Sequence, residues 1–230
     1  MKVTISERVT EVAAGLDALA VPLSLARLER LGLEGSGAYA YYQVRLHRGT
    51  IFAPYELALA GALAGWDRAP RIAHEIGGGF GGLSLLLARL GFRTVCLEYD
   101  VKRYHGAMAL WEVLSTSFPD LKNNCKMINA RFPMTLAELP AVGAMAVITN
   151  LVCTTTPEAK AEMLAALSAY TAAIIDIDRF LVQLRSPEER QLRLLEFQAA
   201  GLVDEPFLDL GAEACFYRLT SDHTAGSSYG

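Results

Sequence analysis

Apolar positions recur at two different periods along this chain, and the change of period divides it. Over residues 6–19 they fall at Val9, Val12, Leu16 and Leu19, three or four apart, which predicts an amphipathic helix. Residues 23–31 predict a second, shorter helix and residues 51–63 a third. Between the last two lies a loop at 32–37 with glycine at 32, 35 and 37. A polar-aromatic stretch follows, with Tyr39, Tyr41, Tyr42, Arg45 and His47 able to stack on a flat ring. From residue 71 short apolar runs alternate with helical ones. Strands are expected over 71–76, 94–97, 125–128, 144–148 and 172–177, and helices over 84–90 and 101–114. Thr156-Pro157-Glu158 carries the signals of a helix start. Ser186-Pro187-Glu188-Glu189 is a capping box, and the helix it opens ends at Gly201. The runs at 202–210 and 214–219 read as two strands joined by a tight turn at Gly211. So short a link joins only antiparallel neighbours, because a parallel pair needs a crossover. The expectation is an α/β chain: a helical substrate segment over 1–70, a mostly parallel sheet covered on both faces over 71–220, and a flexible tail over 221–230.

Composition narrows the function. The 21 Lys and Arg against 25 Asp and Glu give a net charge of −4, which argues against a nucleic-acid or anionic-membrane binder that works through bulk charge. The 230 residues suit one domain, and 52% apolar content excludes a disordered chain. No run of about 18 apolar residues stands out, so no membrane-spanning helix is expected. The start turns polar at once, as in a cytoplasmic protein. Cys96, Cys125, Cys153 and Cys215 form no C-x-x-C pair and read as free thiols. The apolar content leaves room for a homodimer face.

Glu75-Ile76-Gly77-Gly78-Gly79-Phe80-Gly81-Gly82 stands between a predicted strand and a predicted helix, the context a ligand-cradling glycine loop requires. Glycines there let the backbone turn sharply and approach a ligand, and the helix behind presents free N–H groups. Glu98 follows at the end of the next strand, where a carboxylate can accept ribose hydroxyls. Together they point to a nucleoside-containing cofactor. Gly77, Gly79 and Gly82 fit the dinucleotide spacing, but Glu75 beside the loop would repel a pyrophosphate and suit the cationic end of S-adenosylmethionine. An NAD-dependent oxidoreductase would also need a hydride-transfer partner such as Tyr-x-x-x-Lys, and none is evident.

On these residues the chain resembles the class I S-adenosylmethionine-dependent methyltransferases over about 70–220. The late Glu196-to-Leu202 run and Phe216-Tyr217-Arg218-Leu219 add to the likeness. Glu75–Leu83, Leu114–Pro119 and Ile148-Thr149-Asn150 are similar to segments of sugar O-methyltransferases, although Glu98-Tyr99-Asp100 replaces the Asp-Leu-Pro usual there. The resemblance implies a Rossmann-like, doubly wound, seven-stranded sheet of order 3-2-1-4-5-7-6 with strand 7 antiparallel. It implies that Glu75, Gly77, Gly78, Gly79, Phe80 and Gly81 line the methionine and ribose part. Glu98 would hold the ribose, Tyr99 would pack on adenine, Asn129 would meet the adenine amino group, and Asn150 and Leu151 would border the departing methyl. The implied activity is O-methylation of a sugar or other small hydroxyl acceptor. A non-catalytic binding protein of the same fold is the alternative.

A hydroxyl acceptor also has to lose its proton. Asp178, on or just after the fifth strand and alternating with Asp176, is one candidate base, and His105, a few residues beyond the second strand, is another. His47 and His74 read as packing residues. No third ligand accompanies Asp176-x-Asp178, so no metal is expected. Removing 1–66 is expected to harm turnover more than cofactor binding.

Overall fold

The computed structural model describes residues 4–30, 40–133, 139, 141–153 and 155–221. The loop at 32–37, Tyr39 and the tail from 222 onward lie outside them.

Helices α1 (Ile5–Arg30), α2 (Ala40–His47) and α3 (Pro54–Gly65) precede the sheet. The first replaces the two helices expected over 6–19 and 23–31. Pro22 stands inside it, and an interior proline ordinarily costs about 3 kcal/mol. Here the buried positions Val9, Ala13, Leu16, Ala20 and Ser24 continue at helical spacing past Pro22, which is itself exposed. Burial of that stripe outweighs the local break. By length and hydropathy alone, the stretch Ile5–Arg27 is enough to cross a membrane; its stripe faces the protein's own core. The described part of the polar-aromatic stretch, residues 40–47, forms α2.

The main sheet comprises β1 (Ile72–Ile76), β2 (Arg93–Glu98), β3 (Cys125–Asn129), β4 (Ala144–Ile148), β5 (Ala172–Asp176), β6 (Leu202–Asp209) and β7 (Cys215–Ser221). Their spatial order is β3-β2-β1-β4-β5-β7-β6, and β7 is antiparallel to both neighbours. This is the order and the strand reversal that the sequence led us to expect. The remaining helices are α4 (Gly82–Arg89), α5 (Val101–Ser117), α6 (Asp120–Asn124), α7 (Pro157–Leu167) and α8 (Pro187–Ala199). Both capping signals act as predicted: Thr156 accepts from Ala159 N, and Ser186 and Glu189 cap reciprocally. A short parallel ladder, Leu151–Val152 with Phe180–Leu181, extends beyond the ends of β4 and β5.

Alternating residues of each central strand feed two cores. On one face, Met145 and Val147 pack in a cluster with Leu83 and Leu86 of α4 and with Leu16, Leu59 and Leu63 of the N-terminal helices. On the other, Ala146 and Ile148 join Leu164, Leu167 and Phe197 of α7 and α8. The first three helices therefore belong to the sheet's own core.

Candidate functional site

The site stands at the carboxyl ends of β1 to β4. Past Ile76 the chain doubles back, and the N–H groups of Gly77 and Gly78 both donate to the Leu97 carbonyl, at 2.8 and 3.2 Å. Two positions show why glycine is needed. At Gly79, φ is +60°, and an added Cβ would stand 1.9 Å from the Tyr42 hydroxyl oxygen. At Gly78 it would stand 2.5 Å from Cys96 Sγ and 2.8 Å from the Glu75 carboxyl carbon. The loop is thus walled by β2 beneath it and by α2 above it. Phe80 turns away from the cleft, its ring 4.4 Å from that of Tyr42, and Gly81 (φ +73°) caps α4.

Glu75 is buried at the end of β1. Its Oε2 accepts from Ser84 N at 2.9 Å and from Ser84 Oγ at 2.6 Å. Burial pushes its carboxyl up to about 8, Glu56 and Glu98 push the same way, and the Ser84 bonds only partly oppose this. Glu98 ends β2. One of its oxygens accepts from Gly79 N at 2.8 Å and the other from Asp100 N at 2.7 Å. It therefore ties the glycine loop to the start of α5 and keeps further lone pairs for a ligand. Burial raises its carboxyl, against those two backbone donors.

In front of these residues lies a cleft of about 400 Å³. Ile76, Gly77, Glu98, Tyr99, Asn150 and Leu151 wall it, together with Arg103, Arg131, Phe132 and Cys153. Tyr99 is 68% exposed, with the Arg131 guanidinium 6.0 Å from its ring centre. A second space of about 210 Å³ adjoins the cleft, and Gly77, Arg103, Asn150 and Val152 wall both. This chamber is polar. Glu75, Gly78 and Thr149 form its base, and Tyr42, Arg45, Tyr55 and Glu56 of α2 and α3 complete it. Arg45 Nη1 reaches Glu56 Oε1 and Oε2 at 3.1 and 3.2 Å, and its Nη2 donates to the Tyr55 hydroxyl at 3.2 Å. Glu56 also accepts from Ala53 N at 2.8 Å, which fixes the start of α3. Burial raises the Glu56 carboxyl and Arg45 draws it down, burial being the larger effect. Burial also pushes Tyr55 up to about 12, which makes it unsuited to take a proton.

The other sequence candidates fall elsewhere. Asp176 and Asp178 do not alternate on a strand, because β5 ends at Asp176 and a 3₁₀ turn, Ile177–Arg179, follows. The Asp176 carboxylate accepts from Asp178 N at 3.2 Å and closes that turn. Asp178 then points to α8, where Arg190 binds both of its oxygens at 3.0 and 2.7 Å. His105 is exposed on α5 beside Tyr104. Neither walls the cleft or the chamber. Asn129 does not wall the cleft either. Its Nδ2 donates to the Glu98 and Tyr99 carbonyls at 2.8 and 3.1 Å, which pins β3 to β2. Ala130, Arg131 and Phe132 take the place expected for it. Arg103, Arg131, Tyr55 and Glu56 were not singled out from the sequence. The aromatic and basic character of residues 39–47 pointed to Tyr42 and Arg45, and no such signal marks these four.

No family model and no curated protein matches the chain. Solved structures do resemble it. Magnesium protoporphyrin IX methyltransferase from Synechocystis, with bound SAM, matches at TM-score 0.53 and 13% identity, over 86% of this chain and 91% of its own. The pyocyanin biosynthetic protein PhzM matches at 0.56 and 16%, over 80% and 59%. A Pyrococcus horikoshii protein assigned to RNA methylation matches at 0.51 and 15%, over 73% and 83%. At such identities the likeness is one of fold, the Rossmann-like fold seen in solved methyltransferases.

Proposed function

We propose that this chain is an S-adenosylmethionine-dependent methyltransferase acting on a hydroxyl of a small molecule, a sugar being the first class to test. The observation that carries this reading is the continuity of the two spaces. A nucleoside-sized cleft bordered by Glu98 opens past Gly77 and Asn150 into a chamber walled by both guanidinium and carboxylate groups. That sequence of environments fits a nucleoside joined to an amino acid. A dinucleotide would bring its pyrophosphate against Glu75, where burial already disfavours negative charge.

When bound, S-adenosylmethionine supplies a methyl group on a positively charged sulfur. The chain's own residues do the rest. Glu98 accepts the ribose hydroxyls while holding Gly79 and Asp100. Gly77, which walls both spaces, lets the ligand lie against bare backbone there. Glu56 places a carboxylate beside the cationic end, and Glu75 a carboxyl that can ionise against it. Tyr42, Arg45 and Tyr55 close the chamber from above, which limits the space left for an acceptor and helps exclude water. Alignment of two small reactants in such a space can supply several kcal/mol. The chain's net charge of −4 supports a small acceptor over a nucleic acid.

One observation favours a second reading, a cofactor-binding protein without turnover. Asp178 is held by Arg190 and His105 stands in solvent, so neither candidate base reaches the site.

Calorimetric titration with S-adenosylhomocysteine, with NAD as control, tests the cofactor. Micromolar binding of the first alone supports the methyltransferase reading and leads to an acceptor screen among sugars and phenols. Binding of NAD alone overturns it.

A further inference from the structure

The sequence assigns residues 1–70 to the acceptor, yet α2 and α3 meet the glycine loop itself. Tyr42 stands so close over Gly79 that no β-carbon fits between them. The loop at Gly79 is therefore in contact with α2, and Tyr42 also walls the chamber. Three residues on from Tyr42, Arg45 enters the chamber and pairs with Glu56, and the two side chains are only 14% and 11% exposed. A buried ion pair is weak evidence for stability, because desolvating both charges can outweigh their attraction. This pair sits at the wall of a polar cavity, where a ligand can use both charges. The chamber's charged walls are Arg45 and Arg103 with Glu56 and Glu75. The Arg45–Glu56 pair alone offers one cation and one carboxylate, which match a group that carries one carboxylate and one ammonium.

We propose that the Arg45–Glu56 pair, with the Tyr42 hydroxyl, forms a clamp for the α-amino-acid end of the nucleoside cofactor, so that the N-terminal helices are part of the cofactor site. This rests on the methyltransferase reading. The clamp explains why α2 is packed onto the loop. It also sets the amino-acid end against residues 40–56. A nucleoside without that end fills the cleft and leaves the chamber alone.

Two ligands separate the ends. S-adenosylhomocysteine carries the amino acid; 5′-methylthioadenosine shares its nucleoside and thioether and lacks the amino acid. The variant Arg45→Gln/Glu56→Gln removes both charges together, leaves neither partner as a lone buried ion, and keeps an acceptor for Ala53 N. We expect it to weaken S-adenosylhomocysteine at least about tenfold, the scale of one lost charge-assisted hydrogen bond, and to leave methylthioadenosine within about twofold. An unchanged S-adenosylhomocysteine affinity, or an equal loss for both ligands, overturns the clamp. Hydrogen exchange on the unmodified protein gives an independent measurement that does not depend on the variant folding. S-adenosylhomocysteine should protect amides of residues 40–56 and methylthioadenosine should not; equal protection by the two overturns the clamp. If the unmodified protein binds neither, the methyltransferase reading falls and the clamp with it. If it binds both and the variant matches it, only the clamp falls.

Discussion

Glu75→Gln should make the protein more stable at neutral and alkaline pH while weakening its site. The carboxyl is fully buried, and burial raises it from 4.5 to about 8. Below about 4.5 it is protonated in both the folded and the unfolded chain. Between there and about 8 the folded chain keeps a proton that the unfolded chain has released, so stability falls as pH rises. The stability its protonated form contributes is fully present below the lower value and is lost as pH passes the upper one. At about 1.4 kcal/mol per pH unit the interval is worth at most roughly 5 kcal/mol, and a few kcal/mol is the working expectation. The amide that replaces the carboxyl cannot ionise, but it keeps an oxygen to accept from Ser84 N and Ser84 Oγ, so the local hydrogen bonds survive. Urea unfolding at several pH values between about 5 and about 8.5 reads the effect. The two proteins should nearly coincide near pH 5, and the variant should lead by a few kcal/mol at the alkaline end. Asp176, Glu56 and Glu98 are raised as well. They slope both curves in the same direction, so the difference between the curves reads Glu75 together with its coupling to Glu56 and Glu98. Parallel curves would refute the buried, protonated carboxyl. The variant should also bind S-adenosylhomocysteine more weakly, because the amide, unlike the carboxyl, cannot ionise when the ligand's ammonium comes to lie beside it.

Gly79→Ala should cost about 1–2 kcal/mol for the left-handed backbone alone, and more for the β-carbon driven into the Tyr42 hydroxyl. Tyr42→Phe in the same chain removes the clashing oxygen, so a double-mutant cycle of unfolding energies should show coupling above about 0.5 kcal/mol; strict additivity would mean that Tyr42 does not stand on the loop. Removal of residues 1–66 should abolish cooperative unfolding and cofactor binding together, since Leu16, Leu59 and Leu63 are completely buried and each buried leucine is worth about 2–5 kcal/mol. This departs from the expectation that removal harms turnover more than cofactor binding, and a truncated chain that melts cooperatively and still binds S-adenosylhomocysteine would refute it.

Much of the architecture was readable residue by residue. The alternation from residue 71 onward, the glycine loop between strand and helix, the caps at Thr156 and Ser186 and the reversal before β7 each depend on a few neighbouring residues. Backbone preferences and hydrophobic period carry that information locally. Glu98 was found for the same reason: the end of β2 is a place that the chain's own rhythm marks.

The partners of side chains were not local. Nothing near Asp178 says that Arg190 will take both of its oxygens, and the strand alternation that recommended it depended on β5 running past Asp176. Asn129 is taken up by the carbonyls of Glu98 and Tyr99, some thirty residues earlier. Pro22 reads as a break until the stripe from Val9 to Ser24 is packed against the core. Tyr42 and Gly79 meet only because α1 and α3 share the sheet's hydrophobic cluster and carry α2 over the loop. The sequence by itself determined the order of elements and the glycine loop between β1 and α4, because these follow from short-range backbone geometry. Which charges face which, and what closes over the loop, only the tertiary structure decided, because burial and pairing depend on residues brought together from far along the chain.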